Sequence, residues 1–267
     1  MIIQNDIHYF DSIYDFIVSV KGAKRIEGRR RESEDNDAYF CGSKSLEESW
    51  EWLENGCPEL MSVYEEVKTE IESENVRLIE RLDVVGYQVN VPLYLQGVHT
   101  NMLKKDTRIF KNKIVNILVN TSVSYDWDSK DIIRSALAIF QEVVALEGKG
   151  YRVNLYKMIG SSSGSSKVLG FIRMKKDSEK INIKKMIFPM CHTSMQRRLD
   201  FFFRECFGKD DVTHSGYGTQ MNWCKDYVKK YFQIMTRENF IFINLAHMSK
   251  YDNSRQIKEV FNDGKIE

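Results

Sequence analysis

The segment Ile114-Val115-Asn116-Ile117-Leu118-Val119-Asn120-Thr121-Ser122-Val123-Ser124 decides how this chain is read. An apolar run of strand length ends in amides and hydroxyls. The residues beyond it, Ser129 to Glu147, place Ile132, Ile133, Ala136, Phe140, Val143 and Val144 on one helical face, and Gly148 follows where a helix is capped. A buried strand feeding an amphipathic helix is the unit of an α/β sheet, and ligands bind beyond the carboxyl ends of such strands. Polar side chains at that junction therefore form a site. They have three uses: oxygen ligation of a cation, cradling of an anion, or local capping of the helix.

Toward the C-terminus, Tyr151 to Met158 alternates as a strand and Val168 to Ile172 as its hairpin partner across the Gly/Ser-rich loop Gly160 to Ser166. Ile181 to Phe188 starts another element. Thr193 to Phe207 reads as a helix with Leu199, Phe202, Phe203 and Cys206 inward, Trp223 to Met235 as a further helix, and Phe240 to Leu245 as a buried strand. This order implies a doubly wound, mostly parallel sheet with one antiparallel edge strand. Three segments are then expected at its carboxyl edge: Asn120 to Ser124, Cys191-His192-Thr193-Ser194, and Ala246-His247-Met248-Ser249.

Toward the N-terminus, Ile7, Phe10, Ile13, Tyr14, Phe16 and Ile17 predict a short amphipathic helix within residues 1–20. Lys21 to Asp37 is charge and Gly, with Arg29-Arg30-Arg31 beside Glu32, Glu34, Asp35 and Asp37, and reads as a self-compensating linker. Ser45-x-x-Glu48 is a capping box, and Leu60, Val63, Val67, Ile71, Val76 and Ile79 continue a second stripe, so residues 45–82 predict a helical hairpin. Pro92 with Gly86 and Gly97 predicts a structured loop over 84–97. The expected division is an N-terminal helix and charged linker over 1–37, a helical hairpin and loop over 38–110, and an α/β domain over 111–267.

The chain of 267 residues is 42 % hydrophobic and balances 39 Lys and Arg against 38 Asp and Glu, so no global charge points to nucleic acid or an anionic membrane. No apolar stretch reaches membrane-spanning length, and Asp6 and Asp11 interrupt the N-terminus, so a cytoplasmic protein is expected. Cys41, Cys57, Cys191, Cys206 and Cys224 are widely spaced without a C-x-x-C pair and read as reduced, mostly buried thiols.

In element order the chain resembles the von Willebrand factor A-like domain, a Rossmann-like fold whose metal-ion-dependent adhesion site uses D-x-S-x-S after the first strand, a Thr before a later helix and an Asp after the fourth strand. Asn120-x-Ser122-x-Ser124 matches the first motif with its acid replaced, Thr193 matches the threonine, and Ala246-His247 stands where the last acid would be. The resemblance spans about residues 111–250 and implies a binding edge of Asn120, Ser122, Ser124, Thr193 and His247. Its metal outline is Ser122, Ser124 and Thr193, with Asp126 recruited from the following loop. Mg²⁺ or Mn²⁺ is the ion such an outline would take, but both usual carboxylates are missing. No cofactor is therefore expected. The helical preface and Val89 to Gly97 also resemble an uncharacterised family of bacteriophage proteins, which implies a factor acting in host cytoplasm.

The functional expectation is a non-enzymatic protein-binding module or adaptor. The alternatives are a metal-assisted hydrolase or nuclease at the same edge, or a nucleic-acid-binding factor using Arg173, Lys175, Lys176, Lys180, Lys184, Lys185, Arg197 and Arg198. His192 and His247 near Cys191 and Ser122 suggest a nucleophile and base, but no G-x-S-x-G elbow frames Ser122.

Overall fold

The computed structural model describes residues 2–4, 7–28, 30–65, 80–86, 88–105, 113–124, 126–163, 166–208, 228–232 and 240–263. Its strands are β1 (Ile2–Gln4), β2 (Ile7–Phe10), β3 (Glu80–Asp83), β4 (Gln88–Val89), β5 (Met102–Lys105), β6 (Ile114–Asn120), β7 (Arg152–Ser163), β8 (Ser166–Lys175) and β9 (Phe240–Asn244). The helices are α1 (Ile13–Val20), α2 (Glu32–Asp35), α3 (Ala38–Cys41), α4 (Leu46–Asn55), α5 (Val91–Leu95), α6 (Ser129–Gly148), α7 (Ile183–Cys191), a π-helical turn Met195–Asp200, α8 (Phe201–Phe207) and α9 (Asn253–Asp263). The fold is mixed α/β.

The central sheet has six strands in the order β1-β2-β8-β7-β6-β9. β6 lies between β7 and β9 and is parallel to both, with Asn120 level with Met158 on one side and Asn244 on the other. The apolar run Ile117-Leu118-Val119 follows from this position, since its residues are buried on alternate faces. β7 and β8 form the expected antiparallel hairpin. The strands run further into the Gly/Ser stretch than its composition suggests. Gly160 makes this possible: it has φ +129°, and a Cβ there would lie 2.2 Å from the Val168 carbonyl oxygen.

The N-terminus departs from its predicted helix. Ile7, His8, Tyr9 and Phe10 are all buried and form β2, parallel to β8, and the helix begins only at Ser12, whose Oγ accepts from Asp15 N at 3.0 Å. The helical spacing that joined Ile7 and Phe10 to α1 is thus overridden by burial on both faces. β8, expected at the edge, is interior, because β2 satisfies its outer backbone groups.

The charged segment 21–37 is not a free linker. Arg30 pairs with Glu32 and Arg31 with Glu34, as its composition suggests. However, Arg25 reaches Glu205 at 2.8 Å, and Glu205 also accepts Ser33 N and Oγ at 2.8 and 2.6 Å. Buried Arg198 donates to the carbonyls of Ser33, Glu34, Ser43 and Lys44. Partners distant in sequence therefore dock this segment onto the π-helical turn and α8.

α4 starts as the capping box requires, with Ser45 Oγ accepting from Glu48 N at 3.1 Å. The second predicted helix is found as helical residues at 61–65, and residues 66–79 lie outside the described ones. It does not reach Leu82. Glu80–Asp83 is β3 of a second sheet, three antiparallel strands in the order β3-β5-β4. The expected loop contains α5, because Pro92 stands in its first turn, where a missing N–H costs nothing, and Asn90 Oδ1 caps Leu93 N. Of the predicted helix 223–235, residues 228–232 are described and helical; the expected connector 214–222 lies outside the described residues. The single helix expected over 193–207 divides into the π-helical turn and α8.

The sheet faces are covered unequally. Apolar residues of α1, α4, α6, α7, α8 and α9 pack with Ile117, Val119, Val153, Ile159 and Ile172 in one large core. On the other face Tyr9, Leu118, Tyr156, Met158 and Phe171 meet Val228 and Phe232.

Candidate functional site

At the carboxyl end of β6 the chain must pass from a buried strand to α6 without leaving amides unpaired. Asn120 does much of this. Its Nδ2 donates to Asn244 Oδ1 at 2.8 Å, and its Oδ1 accepts Ser122 N at 3.0 Å. Gln196, in the π-helical turn, grips Val123 from the other side, donating to its carbonyl at 3.1 Å and accepting its N–H at 3.4 Å. The β6 junction, the π-helical turn and the end of β9 thus meet, through Asn120, Gln196 and Asn244.

The predicted side chains divide into three groups. Asn120 and Ser122 are buried within this junction. Thr193 is turned to the N-terminal region: its Oγ1 donates to Cys41 O at 3.1 Å, packed so closely that a Cβ on Gly42 would lie 2.2 Å from it. Ser124, Asp126 and His247 lie on the outer rim, half-buried in the first case and exposed in the others. Asp126 pairs with Lys250 at 3.1 Å, and Lys250 followed by the Ser124 hydroxyl holds its carboxyl below the usual carboxylate range. His192 is directed elsewhere, toward Ser194 and Glu59 and against Trp52 and Phe188, with its pKa lowered by burial. The structure gives no contact between His192 and His247.

The strongest chemistry at the junction is a residue that sequence patterning passed over. Lys157 lies in β7 on the core phase set by Val153, Leu155 and Ile159, and its Nζ donates to Thr121 Oγ1. Burial pushes its amine down to about 8, against the opposing pull of Asp200. Asp200, also buried, accepts Gly160 N at 2.8 Å and two bonds from Arg204, at 3.3 and 2.5 Å. Burial raises its carboxyl pKa despite these partners. Asn120, Thr121, Ser122, Lys157, Gly160, Gln196 and Asp200 line a cleft whose free room of about 10 Å³ is that of about one water. A lysine on the inward phase of an apolar strand was the available signal.

These donors do not fit Mg²⁺ or Mn²⁺. Asn120 spends its carboxamide on the chain itself, Thr193 faces away, and a lysine ammonium stands in the cleft. Among the described residues no group of three or more His, Cys, Asp and Glu is placed to hold a metal.

A second feature lies outside the central sheet. In the unit formed by β3, β4, α5 and β5, no described side chain is buried, and Leu82, Val84, Val85, Val91, Tyr94 and Leu95 are exposed. Its polar tie is the ion pair between Lys104 and Asp83 at 2.9 Å.

A family model described as a domain of unknown function, DUF7192, matches residues 3–267. The chain belongs to that family. No curated protein and no solved structure matches it. The matched span takes in the central sheet and the 80–105 unit alike. No helix among the described residues is long and apolar enough to cross a membrane.

Proposed function

We propose that the chain is a non-enzymatic protein-binding module, an adaptor with a von Willebrand A-like body, that contacts an apolar face of a protein partner through the 80–105 unit. The observation that carries this is the exposure of Leu82, Val84, Val85, Val91, Tyr94 and Leu95 on one small unit. Six exposed apolar side chains within fourteen residues of chain are more than the scattered single ones that need no explanation, and interaction surfaces expose apolar residues in this way. The von Willebrand A-like likeness is supported by the hydroxyl-rich junction after β6 and by the bond from Asn120 to Asn244, two residues before the Ala246-His247 turn where the last acid would stand. A phage origin and action in host cytoplasm rest on the sequence resemblance.

The two alternatives draw less support. A metal-assisted hydrolase needs carboxylates free to ligate, whereas Asp200 is bonded to Arg204 and Gly160 N and Asp126 to Lys250. Of the basic stretch considered for nucleic acid, Arg173 pairs with Asp11, Lys175 with Glu147 at 2.6 Å, and Arg197 and Arg198 are buried against backbone carbonyls.

The test compares the tagged wild-type chain with a Val85→Asp, Leu95→Asp double variant and an Asn120→Ala, Ser122→Ala double variant in pull-downs. Circular dichroism checks that each is folded. A partner lost only by the first variant is the expected result. A partner kept by the first and lost by the second would move the contact to the carboxyl edge and end this assignment.

A further inference from the structure

Lys157 and Asp200 line the same cleft without touching. Asp200 acts against the burial that pushes the Lys157 amine down to about 8, so the two charges are near enough to act on each other, and the amine still carries its proton at neutral pH. Yet among the described residues no ion pair joins them. Lys157 Nζ donates directly to the Thr121 hydroxyl, and the ion-pair partner of Asp200 is Arg204.

A count of donors and acceptors shows what is missing between them. An ammonium donates three hydrogen bonds, and Thr121 Oγ1 accepts one of them. A carboxylate accepts about four, of which Asp200 Oδ1 takes Gly160 N at 2.8 Å and Arg204 Nε at 3.3 Å, and Oδ2 takes Arg204 Nη2, so Oδ2 keeps acceptor capacity. Gln196, also in the lining, has its carboxamide committed to both backbone groups of Val123. Both charged side chains are buried, so donors and acceptors left unanswered there are costly. The room of about 10 Å³ in this polar lining is that of one water. Water fits the count where an ion does not, because it accepts from an ammonium and donates to a carboxylate at once.

We propose that the cleft is the binding site of a single ordered water that accepts from Lys157 Nζ and donates to Asp200 Oδ2, making the two side chains a water-separated ion pair. This bridge joins the bond from Gly160 N to Asp200 in tying β7 to the π-helical turn. It also takes up the room beside Asn120 and Ser122, so the carboxyl edge of β6 is closed at this point by a water held as part of the structure.

The test is a crystal structure of the full chain near pH 7, at a resolution that orders buried waters, with a second data set from crystals grown in sodium bromide. The expected result is one water peak at about 2.7–3.2 Å from both Lys157 Nζ and Asp200 Oδ2, with no anomalous signal there in bromide. Crystals of Lys157→Met, which removes the donors at similar side-chain length, should lose that peak. Direct contact between Lys157 and Asp200 with no peak, an anomalous bromide peak in the cleft, or a water unmoved in Lys157→Met would each overturn the proposal. If Lys157→Met does not fold, the wild-type crystals decide alone.

Discussion

The junction after β6 and the 80–105 unit place polar and apolar side chains in opposite ways. At the junction, Asn120, Ser122, Lys157 and Asp200 are exposed by 2, 6, 2 and 3 %, although all are polar or charged. In the unit, Val85 and Leu95 are exposed by 71 and 77 %, although both are apolar. Each arrangement carries a different penalty. A buried polar group must be answered inside the protein, which yields the interlocked bonds among Asn120, Asn244, Ser122, Val123 and Gln196 and a closed, rigid edge. An exposed apolar side chain leaves about 25 cal/mol per Å² unrealised until another surface covers it. The first region is finished by folding. On the function proposed above, the second is completed by association.

The largest effect that would sharpen this contrast is expected at Asp200. Asp200→Ala removes the carboxylate that faces buried Arg204 and Lys157, and should destabilise the chain by about 3–5 kcal/mol in chemical denaturation. A loss under about 1 kcal/mol would mean that the junction is open to water.

Next comes a pH effect of defined sign. The Lys157 amine titrates at about 8 when folded and at 10.5 in its ordinary state, so between these values the unfolded chain binds more protons. The contribution of Lys157 to stability therefore rises as pH increases from 8 to 10.5, by on the order of 3 kcal/mol. Lys157→Met should lack that increment when the two pH profiles of unfolding are subtracted. Identical profiles would place the lysine in contact with solvent and remove the distinction between the two regions.

The smallest effect on folding is expected in the other region. Leu95→Asp should change stability by no more than about 0.5 kcal/mol, because its side chain leaves no core contact behind. A substantial loss by thermal unfolding would show that the 80–105 unit is packed rather than presented.

Much of the central body was legible in local pattern. The apolar run of β6, the stripe of α6, the β7–β8 hairpin and the Ser45 cap each arise from residues close in sequence, and each appears near its predicted bounds. The misread parts depend on distant partners. Ile7 to Phe10 share a helical phase with α1 but are strand because β8 needs a neighbour. Arg25 and Arg198 look like linker and surface charge, but meet Glu205 and the carbonyls of residues 33–44 across more than 150 positions. At the candidate site, Asn120 and Ser122 were visible as a motif, whereas Lys157, Gln196 and Asp200 were not, because nothing in their own neighbourhoods shows what faces them.

Sequence alone determined an α/β chain with a hydroxyl-rich junction after its central strand, since strand and helix periodicity are local properties. Only the tertiary structure decided the character of that junction. The charge that matters there belongs to Lys157 on the adjacent strand and to Asp200 and Arg204 beyond a later helix, and electrostatic balance in a buried cluster is set by distance in space, not along the chain.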